Sequence, residues 1–98
     1  MGKILLFYKY VDVERPSTSA KEQRRLCQSL GLTGRILIAQ EGINGTVGGS
    51  VESIMAYKEF MNAHRIFQDI DFKEAHGTTD YFPRLQVIVK KTIVNLGI

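Results

Sequence analysis

The segment at residues 34–49, GRILIAQEGINGTVGG, constrains this chain most, because an apolar run stops there at a glycine-dense stretch. The run at residues 36–39 has the length of a buried strand. Gly42, Asn44 and Gly45 can supply the positive φ angles that a tight reversal needs. The segment therefore predicts a β-hairpin, with its first strand at residues 34–40 and a short second one at residues 45–47.

The residues before this hairpin predict a strand and a helix. Residues 4–11 are aliphatic and aromatic on both faces, which is typical of a central strand. After a loop at residues 12–18, Ser19 and Glu22 form an SxxE capping box, which predicts the start of a helix. Gly31 is placed to end that helix in the left-handed conformation.

The residues after the hairpin predict a second helix and further strands. Ser50 can cap a helix at residues 51–64, whose apolar residues recur at helical spacing. Residues 66–75 can form an irregular edge strand, residues 76–84 read as a loop, and residues 85–94 form a largely apolar final strand. The order predicts an α+β, ferredoxin-like (acylphosphatase-like) βαββαβ sandwich, with two helices on one face of a mainly antiparallel sheet. The other face would be open to a partner.

Length, charge and cysteine content limit the classes of protein to which this chain can belong. A chain of 98 residues forms one domain with a single core. Its formal charge of +3 permits a phosphate-bearing partner without requiring one. No apolar run approaches the roughly 18 residues of a membrane span, so no membrane partner is expected. The single cysteine excludes an internal disulfide and favours a reducing compartment, the cytoplasm.

Reactive side chains are sparse. Cys27 lies between Leu26 and Gln28 on the apolar side of the first predicted helix, which favours a core thiol over a nucleophile. His64 and His76 lack metal-ligand spacing with each other or with Cys27. The sequence therefore predicts no catalytic residue, no metal site and no cofactor.

Two modes of phosphate or base binding can be weighed on the residues. The glycine-rich stretch could present backbone N–H groups to an anion, but no lysine follows it as in a nucleotide-binding loop, which favours a hairpin that simply needs its glycines. Phe7, Tyr8 and Tyr10 would suit base stacking on the first strand. The segment NGTVGG has no aromatic residue, which argues against stacking across the sheet.

Contacts with an RNA backbone remain possible through lysine and arginine side chains. Whether these share a face, or are simply a solvated surface, does not follow from the sequence. The candidate residues are Lys21, Arg24, Arg25, Arg35, Arg84, Lys90 and Lys91.

Three segments of the chain carry a resemblance to a known family: GRILIAQEGINGTV, the opening FYKY and the closing LQVIVKKTIVNLGI. They resemble the amino-terminal domain of the rhodanese-containing family that hydroxylates the wobble uridine of tRNA. The resemblance implies that residues 1–98 are one ferredoxin-like domain of a longer protein, whose catalytic cysteine lies in a rhodanese domain further on. It also implies a non-catalytic domain that binds or positions tRNA. The residues of the family signature that follow the second strand are Glu41, Gly42, Asn44, Gly45, Thr46, Gly48 and Gly49.

Two alternative functions stay open. The domain could be an interaction module that packs on the rhodanese domain of its own chain, with the signature turn shielded. It could also be an acylphosphatase, which needs an arginine and a glycine-rich turn directly after the first strand and an asparagine on the second. Here Arg15 stands apart from the strand end, and Glu41 falls at or near the asparagine position, where its carboxylate would repel an anionic substrate.

Overall fold

The computed structural model describes residues 2–77 and 83–93. Within those ranges the chain forms five strands and two helices. They are β1 (Gly2–Tyr10), α1 (Pro16–Leu30), β2 (Thr33–Ala39), β3 (Gly42–Ser50), α2 (Val51–Ala63), β4 (Asp71–Gly77) and β5 (Leu85–Val89).

The strands form one sheet in the order β4-β1-β3-β2-β5. Neighbouring strands are antiparallel except β2 and β5, which are parallel. The first four strands with the two helices make the ferredoxin-like βαββαβ unit, so the predicted fold is confirmed, as is the central place of the first strand.

The last two strands differ in their bounds from the sequence prediction. The predicted edge strand at residues 66–75 is β4, which starts only at Asp71 because residues 66–70 turn, with Asp69 at a φ of 71°. His76 and Gly77, predicted as loop, extend β4 along β1. Strand β5 is a fifth, added strand that ends at Val89, and the end of its predicted range, residue 94, lies outside the described residues.

Helix α1 starts earlier than the capping box predicted. Pro16 is its first residue, Arg15 is the N-cap, and the Ser19 amide already donates to the Arg15 carbonyl (3.0 Å). The box prediction was wrong because a proline at the first helical position is itself a start signal, with its φ fixed near the helical value. The predicted end is confirmed, since Gly31 has a φ of 69°.

The hairpin between β2 and β3 is tighter than predicted. Ala39 pairs with Gly42, which leaves a loop of Gln40 and Glu41. Gly42 has a positive φ of 151°, but Asn44 and Gly45 do not, so the turn predicted at those two positions was wrong. Both lie inside β3, which extends over nine residues.

Gly45 serves packing instead of turning. A β-carbon there would lie 2.6 Å from Cζ of Phe7, in the core beneath the helices. A glycine in a strand interior often marks such a close approach. The glycine-dense stretch thus belongs to β3, which the strand order makes the central strand of the sheet.

The core lies between one face of the sheet and the two helices. Leu5, Ile36 and Val47 of the strands and Ile54 of α2 are almost wholly buried. A buried polar contact joins the helices: the Tyr57 hydroxyl donates to Gln23 Oε1 (2.6 Å), and Gln23 Nε2 donates to the Met61 sulfur (3.2 Å). A buried polar group is tolerated when it is hydrogen-bonded in this way.

Candidate nucleic-acid interface

The sheet surface opposite the helices is the open face. Side chains alternate along β1, so while Leu5 and Phe7 enter the core, Leu6, Tyr8 and Tyr10 are 42%, 57% and 59% exposed. Phe7, a candidate for base stacking, is buried and unavailable to a ligand. Among the described residues, both helices pack on the other side of the sheet.

One line of cross-strand neighbours on the open face, the cationic row, consists of Lys73, Leu6, Thr46 and Arg35. Register places Lys73 of β4 beside Leu6, Leu6 beside Thr46 of β3, and Thr46 beside Arg35 of β2. Lys73 and Arg35 are both exposed and are separated by three strand spacings, about 14 Å. The row therefore has a positive charge at each end.

The neighbouring line, the tyrosine row, consists of Asp71, Tyr8, Asn44 and Leu37. The Tyr8 ring stands at 88° to that of Tyr10, with 6.1 Å between centroids. A depression of about 240 Å³ opens between the two rows. Its lining includes Leu6, Tyr8, Asn44, Thr46, Asp71 and Lys73.

Four of the seven predicted basic residues lie on or next to the edge formed by β2 and β5. Arg35 is on the open face, and Arg84 is close to it because the Arg84 carbonyl accepts from the Gly34 amide (3.2 Å). Lys90 follows β5, where its amide donates to the Ile38 carbonyl (2.8 Å), and Lys91 comes next. All four are exposed.

The other three basic residues belong to α1, in the helical layer. A guanidinium nitrogen of Arg24 donates to the Val87 carbonyl of β5 (2.8 Å), which ties the helix to the edge strand. Lys21 and Arg25 line a groove that also includes Phe60 of α2. The seven residues therefore divide between two surfaces and do not share one face.

The signature segment forms no anion-binding loop. From Gly42 to Gly48 it is paired on both sides, with β1 and with β2, and Gly49 and Ser50 are paired with β1, so its backbone groups belong to the sheet. The Ser50 hydroxyl accepts from the Ser53 amide (3.1 Å), which confirms the predicted cap of α2. Of the signature residues, Glu41 lies in the hairpin loop, half-buried.

The loop after β1 is built differently from a phosphate cradle. The Val11 amide donates to the Glu41 carbonyl and the Val13 amide to the Gln40 carbonyl, both at 2.9 Å. These hydrogen bonds turn two backbone donors toward the hairpin. Arg15 lies instead in a groove of about 450 Å³, in the company of Glu14 and Glu22.

Of the three reactive side chains considered from the sequence, Cys27 and His64 are held within the fold, and His76 is exposed on β4. Cys27 is fully buried, and burial raises the pKa of its thiol to about 12, so the predicted core thiol is confirmed. His64 Nε2 lies 2.9 Å from Glu22 Oε1, and its Nδ1 accepts from the Ile66 amide (3.1 Å). No three His, Cys, Asp or Glu side chains of residues 2–77 and 83–93 are grouped as metal ligands.

Neither helix in these ranges is long and apolar enough to cross a membrane.

A family described as the UPF0176 acylphosphatase like domain matches residues 2–93. The chain belongs to this family. The match includes every residue of the cationic and tyrosine rows, as well as the hairpin and both helices.

Relatives of the family domain are longer than this chain. It is 44% identical over 96 residues to a tRNA uridine(34) hydroxylase of Streptococcus suis (strain 05ZYH33), which covers 98% of the chain and 29% of the relative. It is 43% identical over 97 residues to the protein of the same name from Corynebacterium aurimucosum, covering 99% and 31%. The chain therefore spans about a third of the length of the relatives it matches.

Solved structures share the fold of the family domain. An acylphosphatase from Coxiella burnetii superposes with a TM-score of 0.67 at 15% identity, covering 90% of each chain. A bacterial light-regulated adenylyl cyclase superposes with a TM-score of 0.70 at 22% identity, covering 91% of this chain and 28% of the other. At such identities the similarity concerns the fold alone.

Proposed function

We propose that this chain is a non-catalytic, tRNA-binding domain of a tRNA uridine(34) hydroxylase, and that it positions the tRNA for chemistry performed elsewhere in the parent protein. The observation that carries the proposal is the identity of 44% to a relative of that name, of which the chain spans 29%. The parent protein would be cytoplasmic and would contain a rhodanese domain beyond this one.

The burial of Cys27, the one cysteine of the chain, supports a positioning role. Cys27 is enclosed in the core with a raised pKa, so it is a poor nucleophile. The backbone donors of Val11 and Val13 are engaged by the hairpin. What the chain does offer a nucleic acid is charge and an open sheet surface.

The phosphate contacts are assigned to the basic residues along the edge formed by β2 and β5. Arg35 and Arg84 are neighbours there, and Lys90 lies at the far end of β5, about 20 Å away at the rise of an extended strand. Such a line of cations suits the backbone of a nucleic acid, whose contacts release bound counterions. Arg24 is assigned a structural role instead, because it holds the carbonyl of Val87.

Labelled tRNA titrated with the 98-residue domain at 50 and 200 mM salt tests this proposal. We expect binding at low salt that weakens as salt rises. The double variant Arg35→Gln/Arg84→Gln should bind more weakly at low salt and lower the slope of log K against log salt by about 1.5, because each phosphate contact contributes roughly 0.7 to 0.9.

The matched control is Lys21→Gln/Arg25→Gln, which removes the same charge from the helical layer. We expect a clearly smaller loss of affinity from this pair. Absence of binding at 50 mM salt would contradict the proposal. Equal losses from the two pairs would show that net charge, and not this edge, attracts tRNA.

A second candidate is an interaction module that packs on the rhodanese domain of its own parent chain. The exposure of Leu6, Tyr8 and Tyr10 favours it, since exposed apolar surface often marks a protein contact. This candidate requires that the isolated domain ignore tRNA at every salt concentration, so the same titration separates the two.

A further inference from the structure

We propose that the depression beside Tyr8 holds one unstacked nucleotide of single-stranded RNA, with its base against the Tyr8 ring and its adjoining phosphates along the cationic row. This inference rests on the proposed binding of tRNA and adds which part of the RNA the open face takes. It concerns the middle of the open face, which shares only Arg35 with the basic residues along the edge formed by β2 and β5.

The tyrosine ring supplies the stacking surface. Tyr8 is more than half exposed although it stands in the middle of the sheet, on a strand paired on both sides. Tyr10, two residues further along β1, contacts the Tyr8 ring at a near-right angle but is not among the residues that line the depression. A planar base that enters the depression stacks on the Tyr8 ring, which is part of its lining. Base stacking on aromatic side chains is the usual way in which proteins bind unpaired nucleotides.

Polar groups next to Tyr8 fit the edge of a base. Asn44, directly across on β3, carries an amide that both donates and accepts hydrogen bonds. Asp71, across on β4, accepts hydrogen bonds and can take the amino group of a base or the 2′-hydroxyl of a ribose. Its carboxylate would repel a phosphate, which therefore belongs elsewhere.

The cationic row supplies the positive charges that would bind the phosphates. Lys73 and Arg35 lie in the next row, about 7 Å along the strands from the tyrosine row, because residues on one face of a strand repeat every second position. An RNA backbone that crosses the sheet over Leu6 and Thr46 meets a cation at both ends. Its base then points toward Tyr8 and away from the cations.

The site suits one nucleotide better than a run of stacked bases. The open-face positions of β3 are Gly42, Asn44, Thr46 and Gly48, none of them aromatic. Among the residues that the structure describes, the two exposed tyrosine rings belong to β1, and the depression between the rows is about 240 Å³. A regular duplex keeps its bases stacked inside, so this geometry selects an unpaired strand over a duplex.

Charge favours RNA over an apolar protein partner. A protein docked over Leu6 and Tyr8 would have to remove water from Lys73 and Arg35, an unfavourable step unless both charges found partners. For a strand of RNA the same two cations are attractive. The open face thus combines stacking surface and positive charge, as binding sites for single strands do.

The test compares a labelled seven-nucleotide single strand with a duplex of the same sequence, at low salt. Wild type should prefer the single strand. Tyr8→Leu, which removes the ring and keeps an apolar side chain at an exposed site, should weaken single-strand binding about tenfold. Tyr8→Phe should stay within about twofold of wild type, and Lys73→Gln should weaken binding with a reduced salt dependence.

Met55→Ala is the control variant, because Met55 is as exposed as Tyr8 (58% against 57%) but belongs to α2 in the helical layer. It should leave RNA binding unchanged. Equal circular dichroism spectra and melting curves would show that all variants are folded.

The inference is overturned if wild type binds the duplex as well as the single strand, or if Tyr8→Leu binds like wild type. If tRNA still binds in that case, the proposed function stands and its contacts lie at the β5 edge. If neither tRNA nor the single strand binds, both proposals fail. Self-association that Tyr8→Leu abolishes, without an effect on RNA, would make the open face a protein contact and would also overturn the inference.

Discussion

At the scale of single residues, Gly34 is a position of β2 where the backbone of β3 leaves no room for a side chain. A β-carbon there would lie 2.1 Å from the Thr46 carbonyl oxygen and 2.8 Å from the Val47 Cα, and its φ is 141°. Backbone atoms in the middle of a sheet have no room to move aside. We expect Gly34→Ala to lower the free energy of unfolding by about 3 kcal/mol or more, from the clash and the strained φ together.

Gly31→Ala is the matched control for this substitution. Gly31 also has a positive φ, 69°, but nothing lies within 4 Å of an added β-carbon. The substitution Gly31→Ala should therefore lower the free energy of unfolding only by the cost of placing alanine in the left-handed conformation, about 1 kcal/mol. Urea unfolding followed by circular dichroism measures both. Equal losses would contradict a steric role for Gly34.

Residue-level predictions succeeded where a local pattern was sufficient. Cys27 was correctly predicted in the core because its neighbours on the helix are apolar, and Ser50 and Gly31 were correctly predicted as helix boundaries. Lys73 was not singled out, although it closes the cationic row. Its place depends on the register of β4 against β1, and no periodicity within residues 66–75 specifies that register.

At the scale of elements, ion pairs of Glu74 connect its own strand, β4, to β1 and to α2. Its carboxylate lies 2.8 Å from Lys3 Nζ of β1 and also contacts Lys58 Nζ of α2. The hydrogen bonds from Lys3 and Lys58 lower the pKa of Glu74 from 4.5 to about 2. A carboxyl with a lowered pKa stabilises the folded state fully above pH 4.5 and loses that contribution as the pH falls toward 2.

We therefore expect Glu74→Gln to be less stable than wild type at pH 6 and to approach wild-type stability as the pH falls from 4.5 to 2. Urea midpoints at several pH values measure this convergence. Glu59→Gln, an exposed carboxylate of α2, is the control and should change the pH profile little. A constant difference between Glu74→Gln and wild type from pH 6 to pH 2 would argue against the ion pairs.

The elements themselves were largely predictable, and their boundaries less so. The start of α1 was misplaced because two start signals, Pro16 and the Ser19–Glu22 box, compete in the sequence. The length of β3 was underestimated for a similar reason, since glycines signal turns and close approaches alike. The position of the Phe7 ring, known only from the tertiary structure, shows that Gly45 permits a close approach and does not form a turn.

At the scale of the whole molecule, the fold matches an acylphosphatase over 90% of both chains, while the loop after β1 does not suit that chemistry. The Val11 and Val13 amides are engaged by the hairpin, and Glu14 and Glu22 are among the residues that line the groove of Arg15. We expect no hydrolysis of benzoyl phosphate by the domain above the spontaneous rate. The acylphosphatase from Coxiella burnetii is the positive control.

Turnover above the spontaneous rate that Arg15→Ala abolishes would refute this expectation. It would show that the loop rearranges to receive a phosphate. It would also count against a purely positioning role for the domain.

By itself the sequence determined the fold class, both helices, the central place of β1 and the family, because hydrophobic periodicity, capping residues and a distinctive segment are local properties of the chain. The tertiary structure decided which side chains become neighbours across strands. It brought Lys73 and Arg35 into one row, separated Lys21 and Arg25 from them, and enclosed the glycines of β3 between two strands. Register and strand order set these relations, and they arise from packing the whole sheet against its helices, which no single segment encodes.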